Sequence, residues 1–595
     1  MCGIIGTTNQ NISSSKFNEA LVTINHRGPD NQSVYSDSNV IFGHTRLAII
    51  DLDERSNQPF QYENNGRSLI VVFNGEIYNF LILKAELIDK GYLFKTDSDT
   101  EVLCAAYLEW GISCFDHFEG MWAVSIFDNQ KEQLILSRDR MGKKPFYYSY
   151  DNSNVSFGSS LWGVSILSDQ FEISSQGLQL YFALGFTPDT FSIIEGIHKL
   201  EPSKTIVFQK EQDKFTITAE RNSVFKNKTF QNASVSKLFE NAVLKRIISD
   251  VPIATLMSGG VDSTIVTSVT KKFHPETKTF FVDFDDKVLS EFYWANYLAQ
   301  RNNIELNRIF LSTDDIFKSF SSYDEVYEEP FADYSGIPSI AIFNKVAKEF
   351  KVVLTGDGGD ELFYGYPHYF KKHVLFTLLK VNKWFKIAGF FPQNIKQIIA
   401  GGKENFESNY LKNHAILTSF SVSYINKRFN STIERANSFV RGIIQYDRDF
   451  NNLPEKYLVK VDRASMFSGI EVRSPFLDEA LIEKTKKIPS LFLFTPFNTK
   501  LYLKILYFRF FGMKYFLSKK KGFTPPIKEL RLTFFKENNF NQLKEVLQKI
   551  NLELYNEIKG FTHEDLSKDS ILFDRFFFFN LWYENYKKKV AQRNL

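Results

Sequence analysis

Cysteine is scarce in this chain: Cys2, Cys104 and Cys114 are the only three among 595 residues. They show neither CxxC spacing nor a histidine partner pattern, which excludes a zinc ribbon or a disulfide framework and makes a reducing cytoplasm the expected compartment. Long apolar runs are missing too. No window approaches the roughly 18 apolar residues of a membrane-spanning helix, and the richest stretch, 571–583, carries Asp574 and Arg575. The opening Met-Cys-Gly meets polar Thr7 too soon for a secretory leader, so neither membrane nor export is expected. Charge of one sign is also lacking: 72 Lys and Arg stand against 69 Asp and Glu, a net +3. Nucleic acid binding needs a concentrated basic face, so no nucleic acid partner is expected, and Lys587 to Lys589 read as solvated surface.

Aromatic residues are abundant instead, with 61 Phe, 27 Tyr and 6 Trp, many in the C-terminal half. Such residues bury large areas, so that half is expected to hold a substantial core. The length exceeds what one core supports and predicts two or more domains. Short runs at 40–42, 69–73, 121–127 and 133–137 read as strands, and 80–90 and 99–110 as amphipathic helices between them, which predicts packed sheets flanked by helices. Residues 193–220 read as a connecting region with a few extended segments, with a boundary in the polar stretch 215–231. Beyond it, strands at 252–257, 278–284 and 351–355 alternate with glycine turns and helices, the pattern of a parallel sheet with its site at the strand C-termini. From about residue 409 the chain reads as helical.

Cys2 becomes N-terminal once Met1 is removed. Its α-amine, with a reference pKa of about 7.7–8.0, can then serve as base for the thiol. Thiolate attack on a glutamine side-chain amide would release ammonia and leave a thioester for water to hydrolyse. The neighbouring motifs supply what such a reaction needs. Arg46, in GHTRLAIID at 43–51, can clamp an α-carboxylate through its planar fork. In NGEIYN at 74–79, the amide of Asn74 and the backbone N–H of Gly75 can hold a tetrahedral oxyanion, and Glu76 with Asp99 can take up an α-ammonium. Cys104 lies in the periodic helix after Asp99 and reads as core.

A second constellation binds phosphate. Ser258-Gly259-Gly260-Val261-Asp262-Ser263 stands between a strand and a helix, where bare backbone and helix-start N–H groups favour anions, and Asp262 can hold Mg²⁺. No GxxxxGK accompanies it, which excludes a Walker A loop. A second glycine turn, Thr355-Gly356-Asp357-Gly358-Gly359-Asp360-Glu361, closes the third strand, and Asp360 is the expected second carboxylate facing the metal.

These motifs carry a resemblance. MCGIIG, HRGPD at 26–30, FNGEIYNF at 73–80 and SDTEV at 98–102 resemble class II, N-terminal nucleophile glutaminase domains, and DRMGKKPFYY at 139–148 resembles their version in glutamine-hydrolysing asparagine synthases. EEPFADYSGIP at 328–338, LTGDGGDELFYGYPHY at 354–369, LVKVDRASMFSGIEVRSPFLD at 458–478 and KKGFTPPI at 520–527 resemble the synthetase domain of the same family. The resemblance implies an αββα N-terminal nucleophile sandwich over residues 2–215. An ATP-pyrophosphatase domain with a parallel sheet of the adenine-nucleotide α-hydrolase type, and a largely helical C-terminal part, would follow over 216–595. It implies Cys2 as nucleophile, Arg46, Glu76 and Asp99 on glutamine, and Asn74 with Gly75 as oxyanion hole. On the second site it implies Ser258, Gly259, Gly260, Ser263 and Gly356 on ATP, Val282 in the adenine pocket, Lys500 near the phosphates, Asp357 at the intermediate, and Asp262 with Asp360 on metal. The cofactors are then ATP and Mg²⁺.

The implied reaction is a ligase step in amino-acid biosynthesis: glutamine yields ammonia, which amidates an acyl-adenylate of L-aspartate to give L-asparagine, AMP and pyrophosphate. A covered, apolar passage would carry ammonia between the sites, and a homodimer is compatible with this reading. The same chemistry on another small carboxylate, such as a sugar uronic acid, is the first alternative, and an inactive scaffold the second. The sequence departs from the family pattern at Ser290-Glu291, at Ser159-Ser160, at Ser518 to Phe523, and at Lys504 where arginine is expected; of these Ser290, Ser518 and Lys504 bear on the acceptor.

Overall fold

The computed structural model describes residues 2–226, 229–284, 292–366, 416–435, 445, 453–493, 499–516 and 535–593. The departures at Ser290-Glu291 and 518–523, the match at 520–527 and the end of the match at 354–369 lie outside the described residues.

Twelve strands build the first half: β1 (Gly3–Thr7), β2 (Asn31–Ser36), β3 (Ile41–Arg46), β4 (Phe60–Asn64), β5 (Arg67–Ile77), β6 (Gly120–Asp128), β7 (Gln133–Arg138), β8 (Tyr147–Tyr150), β9 (Val155–Gly158), β10 (Ile197–Lys199), β11 (Lys204–Glu211) and β12 (Lys214–Asn222). They form two antiparallel sheets ordered β10-β8-β9-β1-β3-β2 and β12-β11-β7-β6-β5-β4. Alternation puts Ile4, Phe42 and Phe157 of one sheet against Val72, Ala123 and Leu136 of the other, so the sheets share one dry layer. Helices α1 (Ser14–Val22), α2 (Phe80–Asp89), α3 (Asp99–Trp110) and α4 (Leu161–Ser168) cover the outer faces. The result is the expected αββα sandwich. The reading of 193–220 as a connection is corrected: β11 and β12 extend the second sheet through pairing with β7, as far as Asn222. An edge strand with a largely exposed outer half, Thr218 to Glu220, resembles a linker in composition.

Helix α5 (Ser175–Leu184) packs into the core of the second half, where its Phe182 meets Phe576 and Phe579. There β13 (Ile253–Leu256), β14 (Lys278–Phe284), β15 (Leu306–Leu311), β16 (Val352–Leu354) and β17 (Glu471–Arg473) form a parallel sheet ordered β15-β14-β13-β16-β17. Helices α6 (Val235–Arg246) and α7 (Val261–Phe273) pack on one face, and the helices Gly336–Val346 and Ser570–Ala591 belong to the cluster on the other, which is why β13, β14 and β16 carry mostly apolar residues. Sequence order reverses between β13 and β16, so the two glycine turns that follow them flank the switch point where ligands bind in such sheets.

The phenylalanine excess settles in the last helix. Phe573, Phe576 to Phe579 and Trp582 of Ser570–Ala591 are buried, meeting Phe182 of α5 at 5.0 Å between ring centroids and Tyr334 at 4.8 Å. Asp569 caps that helix, accepting from the N–H groups of Ile571 and Leu572. Among the described residues no helix is long and apolar enough to cross a membrane.

Candidate active sites

Cys2 immediately precedes β1, which lies between β3 and β9, so the start of the chain is anchored in the middle of a sheet. Its backbone N–H donates to Asn74 Oδ1 at 3.2 Å. That bond aims the other end of the Asn74 amide: Nδ2 is buried and makes no hydrogen bond, a donor awaiting an acceptor. Strand β5 runs past the expected end at Phe73 through Ile77, placing Gly75 opposite Trp122 of β6. A Cβ on Gly75 would lie 2.1 Å from the Met121 carbonyl oxygen, so only glycine fits there. The Arg46 guanidinium is oriented by Asp53 O and Asn57 Oδ1, both at 2.8 Å, and by Asp51 O. Asp99 Oδ2 accepts from the Ile77 N–H at 2.9 Å.

Cys2, Arg46, Gly75, Glu76 and Asp99 line one cavity of about 390 Å³, with Arg46 as the cation and Glu76 and Asp99 as the carboxylates. This is complementary to a free amino acid, which carries opposite charges at fixed spacing. Burial pushes the Cys2 thiol up, against the pull of Arg46. A buried thiol of this kind needs an adjacent base. Burial also raises Asp99 to about 7 and Glu76 well above the ordinary carboxylate range, with Glu471 adding to both. Cys104 and Cys114 are buried free thiols, raised by burial and set in the apolar core.

At the second site Gly260 stands at the N-cap of α7, and the Ser258 and Ser263 hydroxyls meet at 3.1 Å across the turn. Gly259 has φ +77°, a left-handed conformation, and packs so closely that a Cβ would lie 2.8 Å from the Ala295 nitrogen. Tyr515 Oη, which the sequence did not single out, donates to Gly259 O at 2.7 Å and pins the turn. The glycine turn after β16 packs onto this one: a Cβ on Gly359 would lie 2.5 Å from Asp262 Oδ1, and one on Gly356 would lie 2.8 Å from the Ser263 nitrogen. Asp262 and Asp360 are thereby brought together, and Lys500 Nζ sits between them, 2.6 Å from Asp360 Oδ1 and hydrogen-bonded to Asp262. Burial opposes the charge on Lys500, but the two carboxylates outweigh it and hold its pKa above the ordinary range. Lys504 is pushed down to about 8 by burial and by Lys500.

Ser258, Gly260, Asp262, Ser263, Val282, Gly356, Asp357, Asp360 and Lys500 all line one open cleft of about 1980 Å³. The Thr355 hydroxyl donates to Asp357 Oδ2 at 2.6 Å and fixes its direction. Tyr366, Tyr457 and Lys460 also line the cleft and were not foreseen. Magnesium held between phosphates takes one or two protein carboxylates and completes its shell with phosphate and water. The Asp262–Asp360 pair, already bridged by a cation, fits that demand.

Between these sites a further cavity of about 380 Å³ is lined by Tyr78, Met121, Leu458, Val461, Val472 and Leu477, together with Lys143, Lys144, Asp462, Ser465 and Ser474. Its Met121 adjoins Gly75, and its Ser474 hydroxyl lies 3.3 Å from that of Thr355, which lines the nucleotide cleft. Apolar and charged side chains share its lining. The halves meet here through buried ion pairs, Asp462 accepting from Arg27 at 2.9 Å and from Lys144 at 3.0 Å, while Lys143 donates to Leu477 O at 3.1 Å. Each charged side chain is thus held by a partner.

Comparison with known proteins matches residues 1–219 to a glutamine amidotransferase domain and residues 234–590 to an asparagine synthase domain. Putative asparagine synthetase (glutamine-hydrolyzing) 2 of Methanocaldococcus jannaschii is 30% identical over 514 residues, covering 79% of this chain and 98% of that protein. Asparagine synthetase (glutamine-hydrolyzing) 1 of Bacillus subtilis is 29% identical over 585 residues, covering 93% and 91%. A protein named amidase chry2, of Gibberella zeae, is 28% identical over 383 residues, covering 58% of this chain and 54% of its own.

Proposed function

Since the chain belongs to the asparagine synthase family with a fused glutamine amidotransferase domain, we propose that it uses glutamine and ATP to convert L-aspartate into L-asparagine. The observation that carries this reading is the pairing, in one chain, of a small pocket at Cys2 lined by Arg46, Glu76 and Asp99 with a larger cleft walled by two interlocked glycine turns.

In the first cavity Arg46 takes the glutamine α-carboxylate, and Glu76 with Asp99 takes the α-ammonium. This fixes the side-chain amide over Cys2 Sγ. The α-amine exposed by loss of Met1 removes the thiol proton, and Sγ attacks the amide carbon. The oxyanion that forms is met by Asn74 Nδ2 and the Gly75 N–H. Collapse expels ammonia, and water cleaves the thioester to glutamate.

In the cleft Ser258, Gly259, Gly260 and Ser263 hold the ATP phosphates while the adenine lies against Val282. The aspartate β-carboxylate attacks the α-phosphorus and pyrophosphate leaves. Ammonia then displaces AMP from the acyl-adenylate beside Asp357. Mg²⁺ bound to Asp262 and Asp360 would offset the charge of the departing pyrophosphate. Lys500 adds a fixed cation there. Ammonia that passes through the middle cavity avoids dilution.

Product analysis tests the reading: AMP and pyrophosphate should appear in step with asparagine, whereas stoichiometric ADP would overturn the adenylation step. A panel of carboxylates, uronic acids included, tests the acceptor. Turnover of a uronic acid with none of aspartate would replace the substrate and leave the chemistry.

A further inference from the structure

One cavity has no role in the reaction set out above. It measures about 560 Å³, against about 390 Å³ for the pocket at Cys2, and both halves wall it. The first half supplies Arg138, Thr187, Asp189 and Lys199, and the second supplies Glu329 and Glu455. Most charges on this wall are matched. Arg138 Nη1 lies 3.1 Å from Asp189 Oδ1, and its other N–H groups donate to the Lys144 and Gly142 carbonyls. Lys199 Nζ lies 2.7 Å from Glu329 Oε2, which also accepts from the Tyr147 hydroxyl at 2.8 Å. Arg463 pairs with Glu328 at 3.2 Å, and Lys143 and Asp462, which line the middle cavity too, have the partners already described. Two groups stand apart. Glu455 is buried and accepts from the Asp189 N–H at 2.9 Å, while the Arg428 guanidinium stays 3.8 Å away. The Thr187 hydroxyl, in a side chain only 2% exposed, has no hydrogen-bond partner among the described residues. Glu455 also sits on the π-helical turn Leu453–Leu458, a rare form that recurs at functional sites.

We propose that this cavity is a second ligand site, which takes a small primary ammonium ion between the Glu455 carboxylate and the Thr187 hydroxyl and so ties the two halves together. The groups left over on the wall are both able to accept a hydrogen bond, and one of them is an acid. Their complement is a set of N–H donors carrying positive charge. The rings favour the same ligand. Phe186, Tyr327 and Phe331 line the cavity, the last two stacked at 4.8 Å, and aromatic faces attract an ammonium. An anion would meet those rings and the Glu455 acid, with Arg138 and Lys199 already engaged. Burial and Asp189 raise Glu455 to about 8, against the pull of Lys199 and Arg428, so the empty site holds a proton at neutral pH. The arriving R–NH3⁺ sends that proton to solvent and takes its place beside the carboxylate. The charge enclosed by the cavity is then the same before and after, which spares a buried site the cost of an unmatched ion. The site is separate from the acceptor and from the Cys2 pocket, so it stands whichever carboxylate the enzyme amidates.

The test is isothermal titration calorimetry of methylammonium chloride into the full chain, in two buffers of different ionisation enthalpy. Saturating glutamate fills the Cys2 pocket throughout, and a potassium chloride background removes binding common to any monovalent cation. At about pH 6.5 nearly one proton should leave per cation bound. At about pH 9, where Glu455 is already ionised, that number should fall toward zero and the affinity should be roughly tenfold or more higher. Glu455→Gln keeps the shape and an acceptor for the Asp189 N–H but removes the charge. It should weaken binding by roughly tenfold or more and abolish the proton release. Thr187→Val should weaken binding by about three- to tenfold and leave the proton count as it was. Circular dichroism checks that each variant is folded, and Thr187→Val carries the test should Glu455→Gln fail to fold. Equal affinity and equal proton release in the enzyme and a folded variant, or no binding of methylammonium to the enzyme, overturns the proposal.

Discussion

At the scale of single residues, the sharpest expectations concern Cys2, Asn74 and the two aspartates. Cys2→Ala removes the nucleophile and should abolish glutamine hydrolysis, while synthesis from added ammonium continues in the same preparation. Loss of both in a folded variant would contradict the division of labour. Asn74→Ala deletes the unpartnered Nδ2 donor and should lower kcat by roughly 10²–10³ with little change in KM, as for other single oxyanion donors, read by the same glutaminase assay. Asp262→Asn and Asp360→Asn should each cut ATP-dependent turnover by more than about tenfold, equivalent to more than 1.4 kcal/mol of transition-state stabilisation. Most residues in these statements were legible in the sequence, because each sits in a short motif beside a strand or glycine turn. Arg473 and Glu471 were not. Their match to a family motif said nothing of a partner such as Glu76 nearly 400 positions earlier, and an ion pair across a fold leaves no periodic trace along the chain. Tyr515 escaped for the same reason: its contact is one hydroxyl on Gly259 O.

At the scale of elements, strands buried on both sides were the easiest to read. Strand β6 is buried at all nine positions, and its apolar run at 121–127 announced it. Strand β15 alternates exposed and half-buried residues around Asn307 and Arg308, and β17 is three residues long, so neither offered the required pattern. Strands β11 and β12 were read as a link because pairing with β7, and not their composition, makes them sheet. The C-terminal helix invites a stability test. Trp582 is buried against Phe579 and Tyr586, and its Nε1 donates to Glu328 O at 2.8 Å. Trp582→Ala opens a cavity and orphans that carbonyl, so it should cost about 3–5 kcal/mol, visible as an earlier midpoint in a urea titration. Glu328 also accepts from the Ser160 hydroxyl and, at 2.9 Å, from the Leu161 N–H of the first half, so the loss should be felt in both halves.

At the scale of the whole molecule, the two halves meet through charge that water does not reach, and this gives stability a pH dependence of definite sign. Burial raises Asp99 and Glu361 to about 7 and Glu455 to about 8, and Glu76 well above its ordinary range. For carboxylates raised in the folded state the contribution is complete below the unfolded pKa of about 4 and is lost as pH rises through the folded values. Thermal midpoints of the ligand-free enzyme should therefore fall between about pH 6.5 and pH 8, above the range in which His26 and His44, lowered to about 3 by burial, act with the opposite sign. Saturating glutamate, the hydrolysis product with the same α-ammonium, should reduce the slope by compensating Glu76 and Asp99. A midpoint that rises steadily across that window would contradict the account. The opposite sign holds for Asp462, lowered to about 2 because Arg27 and Lys144 outweigh its burial; its contribution is present above about pH 4 and disappears as pH falls toward 2. All these groups are closed off by the meeting of the halves or the walls of a site, so the molecule's response to pH reports on its function as well as its folding. The central claim, that glutamine nitrogen reaches an ATP-activated aspartate within one chain, is tested most directly by isotope. Enzyme is supplied with glutamine labelled with ¹⁵N in the amide, ATP, Mg²⁺ and aspartate, in a bath of unlabelled ammonium, and the product is weighed by mass spectrometry. Asparagine carrying predominantly ¹⁵N, with one AMP per asparagine, is the predicted result. Unlabelled asparagine, or none while glutamine is hydrolysed, would contradict it.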